Sequence, residues 1–133
     1  MNRWSPRCYR YGPAIALTLT IPALSLLPAR FFSSIASAPA LPGMDKVIHA
    51  LMYAALSLSY YHTLSQDARQ RPASLLGIAA GASLYGTLME CGQGWLTRSR
   101  TMDPLDALAN AIGAFGLIFA IMLGSMVFSS RHE

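Results

Sequence analysis

The chain has little charge and few cysteines for its length. Of its 133 residues, 12% are charged and 53% are hydrophobic, and the mean hydropathy is +0.38. So few charged side chains do not cover a soluble surface, and the composition therefore favours a membrane protein. The two cysteines, Cys8 and Cys91, are too few and too far apart for a disulfide framework or a cysteine-based metal site.

Familiar catalytic motifs are missing as well. The sequence contains no GxSxG, no HExxH and no phosphatase-type set of histidines, so it predicts neither a bound metal nor another cofactor. The net charge of +4 would suggest nucleic acid in a soluble protein, but here the basic residues lie in the gaps between apolar runs. We therefore expect membrane lipids as partners and no nucleic acid.

Four apolar runs fill most of the chain. They cover about residues 13–29, 46–64, 73–95 and 105–128, and each approaches the roughly 20 residues that a helix needs to cross a bilayer. The sequence predicts an all-α fold: a single membrane domain, residues 1–133, built as a bundle of about four transmembrane helices.

The first run also has the layout of a secretory signal peptide. Arginines precede it, and Ala36-Ser37-Ala38 resembles a cleavage site. Pro39 follows that site directly, and Pro22 interrupts the apolar run. These two prolines favour retention of residues 1–38 as a span over their removal.

The positions of Lys and Arg predict the orientation, because cytoplasmic loops are enriched in them. With both termini in the cytoplasm, six basic residues lie inside and four outside, and the outside count falls to two if Lys46 and Arg100 belong to a site. The inside set is Arg3, Arg7, Arg10, Arg69, Arg71 and Arg131, and the outside set is Arg30, Lys46, Arg98 and Arg100. The prediction is a multi-pass protein of the bacterial inner membrane with cytoplasmic N and C termini.

The third run contains two glycines in GxxxG spacing, Gly77 and Gly81. Small residues at this spacing let helix backbones approach closely in a membrane. The pair predicts a contact either within the bundle or between two copies of the chain.

In this topology, polar side chains gather at the outer ends of spans two, three and four. Their spacing puts each set on one helix face. The sets are Asp45 with His49, Glu90 with Gln93, and Asp103 with Asp106 and Asn110.

Depth supports the same grouping. At 1.5 Å per residue, His49 lies about 6 Å inside Asp45, Glu90 about 7 Å before Trp95, and Asn110 about 10 Å beyond Asp103. Because charge in lipid is costly, we expect these groups to meet in a polar pocket that opens outward.

Simpler interpretations exist for each residue. Asp103 before Pro104 is typical of an N-cap, Asn110 can join two helices by a hydrogen bond, and His49 can be a packed core histidine. Glu90 is hardest to explain in this way, and we expect it to pair with Lys46, His49 or one of two loop arginines. Those arginines are Arg98 and Arg100.

These residues resemble the signature of the VanZ-like family. The matching pieces, from about residue 44 to 117, are Asp45-Lys46-x2-His49, Glu90-x2-Gln93, Arg100-x5-Asp106 and Asp106-x3-Asn110-x2-Gly113. In that family the arginine often follows a Pro-Gly turn, whereas this chain has Leu96-Thr97-Arg98-Ser99. Spacing favours Arg100 over Arg98 as the matching residue.

The resemblance implies a small multi-helix membrane protein of the cell envelope, connected with resistance to glycopeptides such as teicoplanin. Three functions stay open. The first is binding or shielding of a polar or lipid-linked ligand, such as a cell-wall precursor or a glycopeptide. The second is a membrane-embedded hydrolase or transferase that uses Glu90 or His49 as a base. The third is a structural or partner-binding role.

Overall fold

The computed structural model describes residues 6–25, 43–96 and 102–129, and all regular secondary structure in these ranges is helical. Four helices are long: α1 (Pro6–Ser25), α2 (Met44–Thr63), α4 (Pro72–Leu96) and α5 (Pro104–Ser129). A short helix, α3 (Gln66–Arg69), connects α2 to α4. The predicted all-α fold is confirmed.

Three long helices begin and end within two residues of the predicted apolar runs, whereas α1 begins at Pro6 rather than at residue 13. Hydropathy shows which segment suits lipid, and a helix can extend beyond that segment into polar sequence. Pro6 occupies the first helical position, where its missing N–H has no intrahelical partner to lose. Residues 26–29 of the predicted first run lie outside the described residues.

The short helix α3 lies in the polar stretch that separates the second apolar run from the third. Ser65 is its N-cap, and the Ser65 side chain accepts a hydrogen bond from Ala68 N at 3.3 Å. Asp67 in the first turn and Arg69 in the last turn both suit the helix dipole. Ser65 is a typical N-cap residue and was a sign of this helix in the sequence. Apolar periodicity did not indicate the helix, because the helix has no apolar face.

The long helices alternate in direction. Arg10 Nε and Nη2 donate to Thr63 O at 3.1 and 2.6 Å, which places the start of α1 beside the end of α2. At the other end, Lys46 at the start of α2 contacts Asp106 at the start of α5. We call the end with Asp45, Glu90 and Asp106 the polar end, and the end with Arg10 and Thr63 the opposite end.

Helices α2 and α5 pack so closely that a Cβ atom at Gly113 would overlap the carbonyl oxygen of Ala50. Gly77 and Gly81 make no such contact, since a Cβ at either would meet nothing within 4 Å. They line a groove of about 540 Å³ between α1, α2 and α4. Among the described helices, the GxxxG pair is therefore not a close packing site, and contact with a second copy stays a prediction.

In the ranges that the structure describes, two helices are long and apolar enough to cross a membrane: Pro72–Leu96 and Pro104–Val127. Each also exposes large apolar side chains. Leu84 on α4 is 62% exposed and Leu123 on α5 is 63% exposed. Length, composition and exposed surface are thus compatible with membrane association for this pair.

Candidate functional site

Lys46, the single lysine of the chain, lies at the centre of an ion-pair cluster at the polar end. Its Nζ donates to Asp45 Oδ2 at 3.1 Å, Asp103 Oδ2 at 3.2 Å and Asp106 Oδ1 at 3.1 Å. An ammonium group has three N–H donors, so these carboxylates use all of them. Lys46 therefore joins the first turn of α2 to the start of α5.

The start of α2 is shaped by Gly43. This residue is the N-cap with φ of 81°, a left-handed conformation that glycine adopts without steric cost. No side chain caps the helix by a hydrogen bond, but Asp45 in the first turn places negative charge at the positive end of the helix dipole. Lys46, in the same first turn, reaches Asp103 and Asp106 at the start of α5.

Asp103 caps α5 and contacts Lys46 as well. Its Oδ1 accepts from Leu105 N at 2.8 Å, as the N-cap interpretation predicts, while its Oδ2 faces Lys46. The Leu105 N–H and then the Lys46 ammonium lower the pKa of Asp103. The sequence put Asp103 on one face with Asp106 and offered capping as a simpler interpretation, and the structure shows that Asp103 makes both contacts.

His49 lies one turn deeper and contacts three polar groups. His49 Nδ1 is 3.0 Å from Asn110 Oδ1 and 3.7 Å from Glu90 Oε1. On the other side of the ring, Nε2 is 3.8 Å from Asp106 Oδ2. The imidazole therefore connects α2 with both α4 and α5.

The deepest polar groups are almost completely covered. Glu90 is 1% exposed, Gln93 is 4% exposed and Asn110 is 0% exposed. Glu90 and Gln93 share the inner face of α4, as their spacing predicts, and the structure places Glu90 beside His49. Burying a carboxylate is costly unless it is paired and hydrogen-bonded, so these positions are unlike routine surface polar residues.

Gly86, one turn before Glu90 on α4, makes room for Asn110. A Cβ at Gly86 would lie 2.8 Å from Asn110 Nδ2 and 2.9 Å from Tyr53 Cε1. Tyr53 is itself 1% exposed, so neither neighbour can withdraw to solvent. Gly86 and Tyr53 were not predicted from the sequence, because spacing along one helix does not show which residues of another helix lie opposite.

Gly113 and the arginines complete the predicted set. Gly113 lies one turn beyond Asn110 and permits the close contact of α2 and α5 described above. Arg98 and Arg100 fall in residues 97–101, outside the described residues. The structure thus brings together eight of the predicted residues, namely Asp45, Lys46, His49, Glu90, Gln93, Asp106, Asn110 and Gly113.

In the part of the chain that the structure describes, negative charge dominates the polar end. Four carboxylates, Asp45, Glu90, Asp103 and Asp106, share it with Lys46 and His49. One donor atom each from His49, Glu90 and Asp106 lies within 4.8 Å of the other two, a grouping that can hold a metal ion. The arrangement suits a cation, or a ligand rich in hydrogen-bond donors, better than an isolated anion.

Comparison of the chain with known protein families, with curated proteins and with solved structures gives no match.

Proposed function

We propose that the chain is a VanZ-like multi-pass protein of the bacterial inner membrane, with α1, α2, α4 and α5 as its four spans. The exposed surfaces of α1 and α2 support this proposal, because they resemble those of the two more apolar helices. Leu19 on α1 is 67% exposed and Leu51 on α2 is 65% exposed. Large apolar side chains around a whole small bundle are costly in water and favourable in lipid.

The orientation we propose puts both termini in the cytoplasm and the polar end outside. Arg10 and Arg69 lie at the opposite end, where they donate to Thr63 O and His62 O at the end of α2. Lys46 is held by three carboxylates, so it is a poor signal of topology. The basic residues that remain favour a cytoplasmic opposite end.

At the polar end, we propose, the protein binds or shields a polar or lipid-linked ligand, such as a cell-wall precursor or a glycopeptide. One observation carries this function. His49 contacts the buried side chains of Glu90 and Asn110 and also the partly exposed Asp106, so it connects the buried polar groups to the surface. Carboxylate, imidazole and amide groups would accept hydrogen bonds from amide, hydroxyl and ammonium groups of the ligand. Resistance to teicoplanin-like glycopeptides is the cellular role that the VanZ resemblance supports.

Two measurements test this function. Purified protein in detergent is titrated with a glycopeptide and with a lipid-linked precursor, and cells that carry Asp106→Asn or Asn110→Ala are scored for glycopeptide susceptibility. We expect binding by the wild type and a loss of resistance without a loss of membrane abundance. Arg71→Gln, on the opposite end, is the matched control. Failure of both ligands to bind would reject the proposal.

The alternative is a membrane-embedded hydrolase or transferase that acts on a lipid-linked substrate at the outer leaflet. The observation that favours it is the His49–Glu90 contact at 3.7 Å, because an imidazole beside a carboxylate is a common general-base arrangement. Glu90→Gln preserves the shape of the side chain and removes its basicity. A Glu90→Gln protein with the full cellular effect at normal abundance would exclude this mechanism.

A further inference from the structure

We propose that His49, Glu90 and Asp106 form a binding site for one divalent transition-metal ion, with Zn²⁺ as the best match. The three side chains come from α2, α4 and α5, and one donor atom of each lies within 4.8 Å of the other two. An imidazole with two carboxylates is a donor set that suits Zn²⁺ and similar ions. A search for contiguous motifs does not detect such a site, because its ligands are on three different helices.

The distances require only small side-chain movements. Donor atoms about 2.0–2.2 Å from a tetrahedral Zn²⁺ lie about 3.3–3.6 Å from each other. His49 Nε2 and Asp106 Oδ2 are already 3.8 Å apart, and one donor atom of each of the three residues lies within 4.8 Å of the other two. Three protein ligands leave the fourth position of the metal for water or for an oxygen atom of a bound ligand.

The residues that contact these three side chains are placed like the residues that usually hydrogen-bond to metal ligands. When His49 Nδ1–H donates to Asn110 Oδ1 at 3.0 Å, Nε2 is the nitrogen left for the metal, on the side of Asp106. Asp106 uses Oδ1 for Lys46 and keeps Oδ2 for the site. Hydrogen bonds of this kind fix the ring tautomer and the orientation of a ligating carboxylate.

Asn110 also supplies an independent indication that something binds beside the cluster. Its side chain is completely buried, and among residues 6–25, 43–96 and 102–129 its Nδ2 has no hydrogen-bond partner. A buried amide donor normally has an acceptor. A water molecule in the buried part of the cluster would supply that acceptor.

A metal ion also suits the charge of the site. Glu90 and Asp106 face one imidazole, and the nearby Lys46 shares its charge among three aspartates. A divalent cation between the two carboxylates would reduce their repulsion. The metal could also contact an anionic group of a lipid-linked ligand. The metal proposal does not depend on such a ligand, because metal binding is measured without one.

The test is a metal titration of the full chain, purified in detergent with a histidine-free tag and stripped with EDTA. We expect one Zn²⁺ per chain by calorimetry, and visible absorption bands when Co²⁺ replaces Zn²⁺. Glu90→Gln and Asp106→Asn should each weaken Zn²⁺ binding by at least about tenfold. His49→Ala should also change the Co²⁺ bands.

Two matched variants control for general effects. His62→Ala removes an exposed histidine at the opposite end, and Asp67→Asn removes an exposed carboxylate there. Both should bind Zn²⁺ like the wild type. If His49→Ala fails to fold, the nearly isosteric Glu90→Gln and Asp106→Asn decide the result. Less than 0.1 Zn²⁺ per wild-type chain, or equal affinity in these two variants and the wild type, would overturn the proposal.

Discussion

At the scale of single residues, Lys46 is the main electrostatic link of the polar end. Three aspartates share its ammonium group at 3.1–3.2 Å. An ammonium group with three carboxylate partners is a poor receptor for an anionic head group of a ligand. The charge of Lys46 is used mainly to join α2 to α5.

Lys46→Met should therefore destabilise the protein. The methionine keeps the length of the side chain, but it leaves three neighbouring carboxylates without their shared cation. We expect a lower free energy of unfolding than that of the wild type, measured by denaturant titration in detergent. The double variant Lys46→Met/Asp106→Asn should recover part of that loss. A single variant as stable as the wild type would show that the cluster contributes nothing.

The cap at Asp103 should make stability depend on pH in the acid range. Since its pKa is lowered in the folded protein, the ionised carboxylate contributes stability above the usual aspartate pKa of about 3.9. That contribution is lost as the pH falls through the lower folded-state value. Asp103→Asn keeps an N-cap acceptor but has no charge.

We therefore expect the wild type to have a higher melting temperature than Asp103→Asn at pH 6. The difference should shrink as the pH falls below about 4. Thermal unfolding of both proteins in detergent, followed by circular dichroism from pH 6 to pH 3, measures it. A constant difference across this range would mean that the charge of Asp103 does not stabilise the fold.

At the scale of helices, the glycine contacts separate positions that look equivalent in the sequence. Gly113→Ala places a methyl group against the backbone of Ala50 and should force α2 and α5 apart. We expect a loss of about 2 kcal/mol or more in stability, because overpacking against backbone has no easy relief. Differential scanning fluorimetry in detergent is a suitable measurement.

Gly116→Ala is the matched control on the same helix. A Cβ at Gly116 meets nothing within 4 Å, and alanine favours a helix over glycine by roughly 0.5–1 kcal/mol. This variant should be neutral or slightly more stable. If both variants behaved alike, the close approach of α2 and α5 at Gly113 would not be a determinant of packing.

The positions of three long helices were predictable from the sequence, because each of these helices begins and ends close to the ends of an apolar run. Helix neighbours were harder to predict. Spacing put Glu90 and Gln93 on one face, but it did not show that Gly86 would lie against Asn110 and Tyr53. It also favoured Gly77 and Gly81 as a contact, whereas among the described helices these glycines line an open groove. Close contacts depend on how helices cross, which a single sequence does not specify.

The candidate site was predictable to the extent that its residues share both depth and face. Asp45, His49, Glu90 and Asn110 fulfil both conditions, and the structure gathers them at one end. An N-cap was the simpler interpretation of Asp103, because one capping hydrogen bond is enough to explain an aspartate directly before Pro104. Its second oxygen faces Lys46, and only the pairing of α2 with α5 reveals that contact.

At the scale of the whole molecule, α1 and α2 are less apolar than α4 and α5, because they carry more polar side chains. Some of their polar groups are hydrogen-bonded within the bundle. Tyr85 Oη donates to Thr18 O at 2.6 Å, and Thr18 Oγ1 lies 2.9 Å from Tyr60 Oη. Hydroxyl groups that bond in this way are tolerated in lipid. Lower hydropathy in these helices is therefore compatible with four spans.

Cysteine accessibility tests the four-span orientation directly. In a chain with Cys8 and Cys91 replaced by serine, a single cysteine is placed at Met102, which is 46% exposed near the polar end. A second version carries it at Gln70, which is exposed at the opposite end. We expect a membrane-impermeant maleimide to label Met102→Cys in intact spheroplasts and Gln70→Cys only after permeabilisation.

The direction of labelling also decides between functions. Outward exposure of Met102→Cys would put the acidic site where a glycopeptide or an outer-leaflet precursor can reach it, because labelling requires access from the external solution. The reverse pattern would place Asp106 and His49 on the cytoplasmic side, and the ligand-shielding proposal would fail even if the metal site were real. Equal labelling of both positions before permeabilisation would instead mean that α4, the one span between them, does not cross the membrane.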